Sequence, residues 1–71
     1  MKIESTLVAK VLMLTYDSAK DKYYLDILTN GKQNTVTFYG EFALEEYLRE
    51  AWNFDIEQIN QLYSEMHTIL Y

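Results

Sequence analysis

The chain has no cysteine and no proline, and it has only two glycines and one histidine among its 71 residues. Without cysteine, neither a disulfide nor a thiolate metal site can form. The single histidine, His67, excludes a metal site built from several histidines of one chain. Small domains often gain stability from such cross-links, so this one depends on its apolar core or on a partner.

Long apolar runs are also missing, since the longest is far too short to span a membrane, and no cleavable signal is apparent. We therefore expect a cytoplasmic protein without a membrane partner. A composition of 49% hydrophobic and 24% charged residues is typical of a globular protein. The length predicts a single domain over residues 1–71.

Basic residues are few and unevenly distributed. Residues 1–39 carry five lysines against four carboxylates, which gives +1. Residues 40–71 carry seven carboxylates against Arg49 alone, which gives −6 and a total of −5. A half with this charge should repel nucleic acid and attract basic protein surfaces, so we expect a protein partner and no direct binding of nucleic acid.

Three apolar stretches predict strands. Residues 5–16 are rich in aliphatic and β-branched side chains and favour a long first strand, although a helix is a competing interpretation of a run of this length. Residues 23–29 and 33–39 flank Asn30 and Gly31, a pair that is typical of the type I′ turn of a hairpin. The first half of the chain therefore predicts an antiparallel meander.

The hairpin turn also predicts the pairing register. If Thr29 faces Lys32, then Tyr23 faces Phe38 on an apolar face of the sheet. Strict alternation adds four residues of the first strand to this face: Leu7, Ala9, Val11 and Met13. The opposite, outer face would then carry Tyr24, Asp26, Leu28, Thr35, Thr37 and Tyr39, with Val8, Lys10, Leu12, Leu14 and Tyr16. So many apolar side chains on an outer face indicate contact with a partner, an extra layer in the small domain, or a wrongly assigned first strand.

Two helices follow the strands. Residues 41–52 place apolar side chains on one side, and residues 54–71 repeat them at steps of three and four. Asp55 and Gln58 have the spacing of a capping box, which marks the start of the second helix. We therefore predict an α+β fold, in which a three-stranded antiparallel meander is followed by two helices packed on one face (β-β-β-α-α).

No catalytic motif is present. The carboxylates lie at exposed helical spacings, no serine has the context of a nucleophile, and the two glycines are explained by turns. We expect no enzymatic activity, no catalytic residue, no cofactor and no metal.

Two candidate surfaces remain for binding a partner. The first, called here the acidic set, is Glu41, Glu45, Glu46, Glu50, Asp55 and Glu57. Carboxylates along a helix can take the positions of phosphates in a basic groove, although a solvated face that keeps the protein soluble is the competing interpretation. The second surface is the outer sheet face, with Tyr16, Tyr24, Asp26 and Tyr39, since tyrosine is favoured at protein interfaces.

Seven residues of the C-terminal third carry a family resemblance: Trp52, Asn53, Tyr63, Glu65, Met66, Thr68 and Ile69. With them, the chain resembles a family of small acidic anti-CRISPR proteins, which phages encode to block a type II RNA-guided nuclease. A phage-encoded protein of this kind would act in the cytoplasm of the host cell. The upstream Asn-Gly hairpin and the order of three strands and two helices also match. Two features depart from the family. Residues 58–61 are uncharged where a family member has an acidic run, and the helix that precedes the sheet in the family is missing.

This resemblance implies a DNA mimic. Such a protein binds the effector nuclease at the site where the nuclease reads the protospacer-adjacent motif of its target DNA. The expected function is therefore a non-enzymatic inhibitor that blocks the engagement of DNA by a host CRISPR nuclease. The alternative is a homodimeric structural or regulatory adaptor, or an antitoxin-like binding module, that uses the outer sheet face. A charge at Leu12 or Leu14 should weaken that dimer.

Overall fold

Residues 9–69 are described by a computed structural model. Its elements are β1 (Ala9–Asp17), β2 (Lys22–Thr29), β3 (Lys32–Phe38), α1 (Glu41–Ala51), α2 (Ile56–Ser64) and β4 (His67–Ile69). The predicted α+β order of three antiparallel strands followed by two helices is confirmed. The predictions made for Leu7 and Val8 fall outside the described residues.

The β2–β3 hairpin forms as its turn sequence predicts. Asn30 and Gly31 have φ angles of 53° and 81°, the left-handed conformation that both positions of a type I′ turn require. Thr29 pairs with Lys32, and Tyr23 pairs with Phe38 at the far end. The predicted register is therefore confirmed over the whole hairpin.

A β-bulge changes the register of β1. Val11 pairs with Ile27, but the next pair is Met13 with Asp26, so Leu12 is an extra residue in this strand. Because side chains alternate along a strand, one inserted residue moves all later side chains to the opposite face. The prediction from strict alternation holds up to Val11 and is wrong beyond it.

The faces of β1 are corrected accordingly. Leu14 pairs with Leu25 and is 1% exposed, so it lies in the core and not on the outer face. Tyr16 pairs with Tyr23 on the same covered face, whereas Met13 lies on the outer face beside Asp26. Neither Leu12 nor Leu14 belongs to an outer-face interface, and a charge at Leu14 would disrupt the core.

The predicted second helix ends earlier than expected. It stops at Ser64, and residues 67–69 form β4, which runs parallel to β1. The backbone N–H and the side-chain Oγ of Ser18 both donate to the carbonyl oxygen of Ile69, at 3.1 and 2.8 Å. If residues 67–69 continued the helix, the backbone groups at this edge of β1 would lose these partners. The β-branched Thr68 and Ile69 also suit a strand.

Both helices cover one face of the sheet, which has the strand order β3-β2-β1-β4. Helix α1 packs against β3, and α2 packs against β1. The least exposed side chains of the core come from strands and helices alike: Leu14, Leu25, Leu44, Leu48 and Ile59. Neither α1 nor α2, the helices of residues 9–69, is long and apolar enough to cross a membrane.

The corner between the helices is built by local hydrogen bonds. Asn53 takes the left-handed conformation with a φ of 58°, and the N–H of Phe54 donates to the carbonyl of Leu48 at 3.1 Å. Asp55 and Gln58 form the predicted capping box, with bonds of 2.8 and 2.9 Å. The predicted start of α2 is therefore confirmed.

Candidate functional site

The acidic set follows α1 and continues around the corner into α2. Glu41, Glu45, Glu46 and Glu50 lie in α1, Asp55 caps α2, and Glu57 occupies its first turn. Because α1 buries Leu44 and Leu48 against the sheet, the helical period turns Glu46 and Glu50 to the surface. The set nevertheless divides into two groups with different surroundings.

Three members of the acidic set form hydrogen bonds within the protein. The Oε2 atom of Glu41 accepts a hydrogen bond from the Tyr23 hydroxyl at 3.2 Å. The Oε2 atom of Glu45 accepts one from the Tyr63 hydroxyl at 2.9 Å, while its Oε1 lies 3.7 Å from Nη1 of Arg49. Asp55 is held by the capping box. Glu41 ties α1 to β2, Glu45 ties α1 to α2, and Asp55 caps α2, so all three have structural roles.

The other three members, Glu46, Glu50 and Glu57, are exposed and form no hydrogen bond or ion pair with another residue between 9 and 69. Glu46 and Glu50 lie one turn apart, so their charges repel each other. Phe42 lies one turn before Glu46 and is 74% exposed. We call Phe42, Glu46 and Glu50 the α1 stripe.

The α1 stripe combines an aromatic ring with two carboxylates. An arginine side chain suits such a surface, because its guanidinium stacks on aromatic rings and binds carboxylates through two hydrogen bonds. Sequence reasoning missed Phe42, although its spacing of four from Glu46 and its place off the buried side of α1 could have revealed it. Together with Glu57, the two carboxylates of the stripe are the members of the acidic set that are free to meet a basic partner.

An open groove of about 500 Å³ lies between β1 and α2. Its apolar lining comes from Val11, Leu12, Phe54 and Leu62, and its acidic rim from Asp55, Glu57 and Glu65. Leu12 is 40% exposed there because the bulge directs it toward α2 instead of the outer face. The groove adds an apolar floor to the end of the acidic set that holds Asp55 and Glu57.

The outer sheet face is less available than the sequence predicts. Tyr16 is absent from it, since its ring packs 4.8 Å from that of Tyr23 and its hydroxyl donates to Asp21. Tyr24 donates to Asp17 at 3.3 Å, and Asp26 accepts from the Thr35 hydroxyl at 2.6 Å. Of the four residues predicted on this face, Tyr39 alone combines a largely exposed side chain with a hydroxyl that forms no hydrogen bond to another residue between 9 and 69.

Tyr39 is 72% exposed, and the Nζ atom of Lys22 lies 5.1 Å from the centre of its ring. A lysine at this distance is attracted electrostatically by the face of the ring. Around Tyr39, the exposed outer face therefore combines an aromatic ring with the positive charge of Lys22. It differs in charge from the α1 stripe and would suit a different partner.

The two tyrosines that donate to Glu41 and Glu45 have raised pKa values. Burial, together with the charge of Glu41, raises the pKa of Tyr23 to about 12. Burial also raises the pKa of Tyr63, with a further contribution from its hydrogen bond to Glu45. Among residues 9–69, no cluster of three histidine, cysteine or carboxylate side chains could hold a metal ion.

These pKa values predict a loss of stability in alkali. The folded protein retains the Tyr23 proton up to about pH 12, whereas an unfolded tyrosine loses it near pH 10. The contribution of this proton to the free energy of unfolding should therefore be constant below pH 10 and fall between about pH 10 and 12, by at most about 1.4 kcal/mol per pH unit. Urea titrations from pH 8 to 12 measure the slope.

The variant Tyr23→Phe should reduce this alkaline slope. Glu41→Gln, which removes the neighbouring charge but leaves the burial, should reduce it less. An unchanged slope in Tyr23→Phe would show that other groups cause the alkaline loss.

Comparison of the chain with known protein families, with curated proteins and with solved structures found no match.

Proposed function

We propose that this protein is a non-enzymatic inhibitor that binds a host CRISPR effector nuclease and blocks its engagement of DNA. The observation that carries the proposal is the α1 stripe, in which the exposed Phe42 precedes Glu46 and Glu50 along one side of a helix. The anti-CRISPR resemblance of the C-terminal third is consistent with this role. No metal, cofactor or catalytic residue is part of it.

The spacing of the stripe suits a basic nucleic-acid groove. Residues four apart in a helix are separated by about 6 Å along its axis, so adjacent lysine or arginine side chains can reach both carboxylates. In the nuclease, such side chains bind DNA phosphates or read guanine edges through paired hydrogen bonds. A protein that satisfies the same donors competes directly with DNA for them.

The hydrogen bonds of the acidic set support a narrower form of the proposal, in which Glu46 and Glu50 carry the mimicry. Glu41 and Glu45 accept hydrogen bonds from Tyr23 and Tyr63, so reversing their charges would disturb the packing of α1 as well as any interface. Glu46 and Glu50 can be reversed without breaking a bond to another residue in the range 9–69. They therefore test binding separately from folding.

The test is DNA cleavage by a panel of guide-loaded type II effector nucleases, with the protein added before or after the target DNA. We expect inhibition only when the protein is added first. The double variant E46K/E50K should need about 100-fold more protein for half inhibition, since two charged hydrogen bonds of about 1.5 kcal/mol each would be lost. Higher salt should weaken inhibition by the unaltered protein.

Two controls separate the stripe from the overall charge. E46Q/E50Q removes the charges without reversing them and should have a smaller effect. Glu65→Lys reverses a charge at the C-cap of α2, on the acidic rim of the groove. It should inhibit nearly as well as the unaltered protein if the α1 stripe, and not the groove, carries the mimicry. Full inhibition by E46K/E50K would refute mimicry by α1, and a lack of inhibition across the panel would refute the proposed function.

A further inference from the structure

Strand β3 forms one edge of the sheet. Its only strand neighbour within residues 9–69 is β2, so one side of its backbone is unpaired there. At the opposite edge, β4 is only three residues long, whereas β3 has seven. The longer exposed edge is therefore the one formed by β3.

The register shows which backbone groups point outward. Thr29 and Lys32 close the type I′ turn, so they form a hydrogen-bonded pair, and bonded and non-bonded pairs then alternate along the hairpin. It follows that Gln33, Thr35 and Thr37 direct their N–H and C=O groups away from β2. These three residues form a regular row of free donors and acceptors.

This edge lacks the features that commonly protect sheet edges. Natural proteins block them with proline, β-bulges or charged side chains. The chain contains no proline, the β2–β3 register is continuous, and the sole charge in β3 is that of Lys32 at its first position. An extended strand can therefore be added to β3.

We propose that β3 pairs with β3 of a second copy of this chain, antiparallel and centred on Thr35. This inference is independent of the proposed inhibitor role. In this register, Thr35 faces its own copy, and Gln33 faces the second copy's Thr37. Each of these pairs exchanges two backbone hydrogen bonds.

A second copy fits because β3 is complementary to itself in this register. Lys32 lies opposite Phe38, so no charge meets a like charge, and Asn34 lies opposite Val36. The central pair joins two threonines, a cross-strand combination that stabilises sheets. The β3 strand of a second copy is therefore a suitable partner for this edge.

The symmetry of this pairing has a structural consequence. A two-fold axis between antiparallel edge strands is perpendicular to the sheet, so both copies carry their helices on the same face. Because α1 packs against β3, both α1 helices lie near the axis. The dimer presents two copies of the α1 stripe on one side of a continuous eight-stranded sheet, four strands from each copy.

The proposal is tested by analytical ultracentrifugation of the full chain and two variants, over a series of micromolar concentrations. Thr35→Lys places two like charges opposite each other at the axis and should raise the dimer dissociation constant at least tenfold. Thr35→Val is the matched control and should retain the dimer. Both variants lose the hydrogen bond to Asp26, so any effect of that loss is shared.

Hydrogen exchange provides a residue-level measurement. The amides of Gln33, Thr35 and Thr37 should exchange more slowly as protein concentration rises, whereas those of Asn34 and Val36 are protected at every concentration because they bond to β2. If Thr35→Lys does not fold, Gln33→Pro removes an outward N–H without touching the β2 ladder and should also weaken the dimer.

Two outcomes would overturn the proposal. One is a monomer throughout the concentration series with fast exchange at the three outward amides. The other is a dimer that both Thr35→Lys and Gln33→Pro leave intact, which would place the interface elsewhere.

Discussion

Replacing Leu14 with aspartate is expected to abolish the folded state, whereas the same substitution at Met13 should leave it intact. The bulge at Leu12 explains the difference between these adjacent residues. Leu14 is 1% exposed and faces Leu25 in the core, while Met13 is 40% exposed on the outer face. Without the bulge, the two side chains would exchange faces and the expected result would be reversed.

The size of the effect follows from the small size of the domain. A chain of 71 residues has a total stability of about 4–10 kcal/mol. Removing a buried leucine costs about 2–5 kcal/mol, and burying a carboxylate without a partner adds several more. The sum reaches or exceeds the stability of the whole domain, whereas an exposed substitution normally changes it by about 0.5 kcal/mol or less.

Urea unfolding followed by circular dichroism distinguishes the two variants. Met13→Asp should show a cooperative transition, at most about 1 kcal/mol less stable than the unaltered protein because the new carboxylate lies opposite Asp26. Leu14→Asp should show none. Leu14→Ala, which creates a cavity without a charge, should lie between them. If Met13→Asp unfolded the protein while Leu14→Asp did not, the bulge would be wrongly placed.

Replacing Asp17 with alanine should destabilise the protein by about 3 kcal/mol. Asp17 is the buried charged residue of the described chain, at 3% exposed. Its Oδ1 accepts from the N–H groups of Ala19 and Lys20 at 3.1 and 3.2 Å, and its Oδ2 accepts from the Tyr24 hydroxyl. Alanine would leave two amides of the β1–β2 turn and the hydroxyl of Tyr24 without this acceptor.

Two milder substitutions separate these contributions. Asp17→Asn keeps an oxygen for the turn amides and should cost about 1 kcal/mol, because only the charge and one acceptor are lost. Tyr24→Phe removes one hydrogen bond at the edge of the cluster and should cost less still. Chemical denaturation at pH 7 measures all three. Equal stability of Asp17→Ala and the unaltered protein would show that water replaces the carboxylate at no cost.

The parts of the molecule that short segments specify follow from the sequence. Asn30 and Gly31 determine the hairpin turn, because their left-handed conformation is a local property, and the turn then determines the β2–β3 register. Asp55 and Gln58 determine where α2 begins, since both hydrogen bonds of the capping box lie within four residues. The surface position of Glu46 and Glu50 follows from the helical period in the same way.

Only the tertiary structure decides the features that depend on distant residues. The bulge at Leu12 brings Leu14 and Tyr16 to the face that the helices cover, a requirement of packing that strict alternation does not contain. Residues 67–69 form a strand because β1, about fifty positions earlier, offers an unpaired edge, as the bonds from Ser18 to Ile69 show. The structural roles of Glu41 and Glu45 likewise come from tyrosines 18 positions away. The sequence alone therefore determines the charge of the surface. The fold determines which carboxylates are bonded within the protein and which are free to contact a partner.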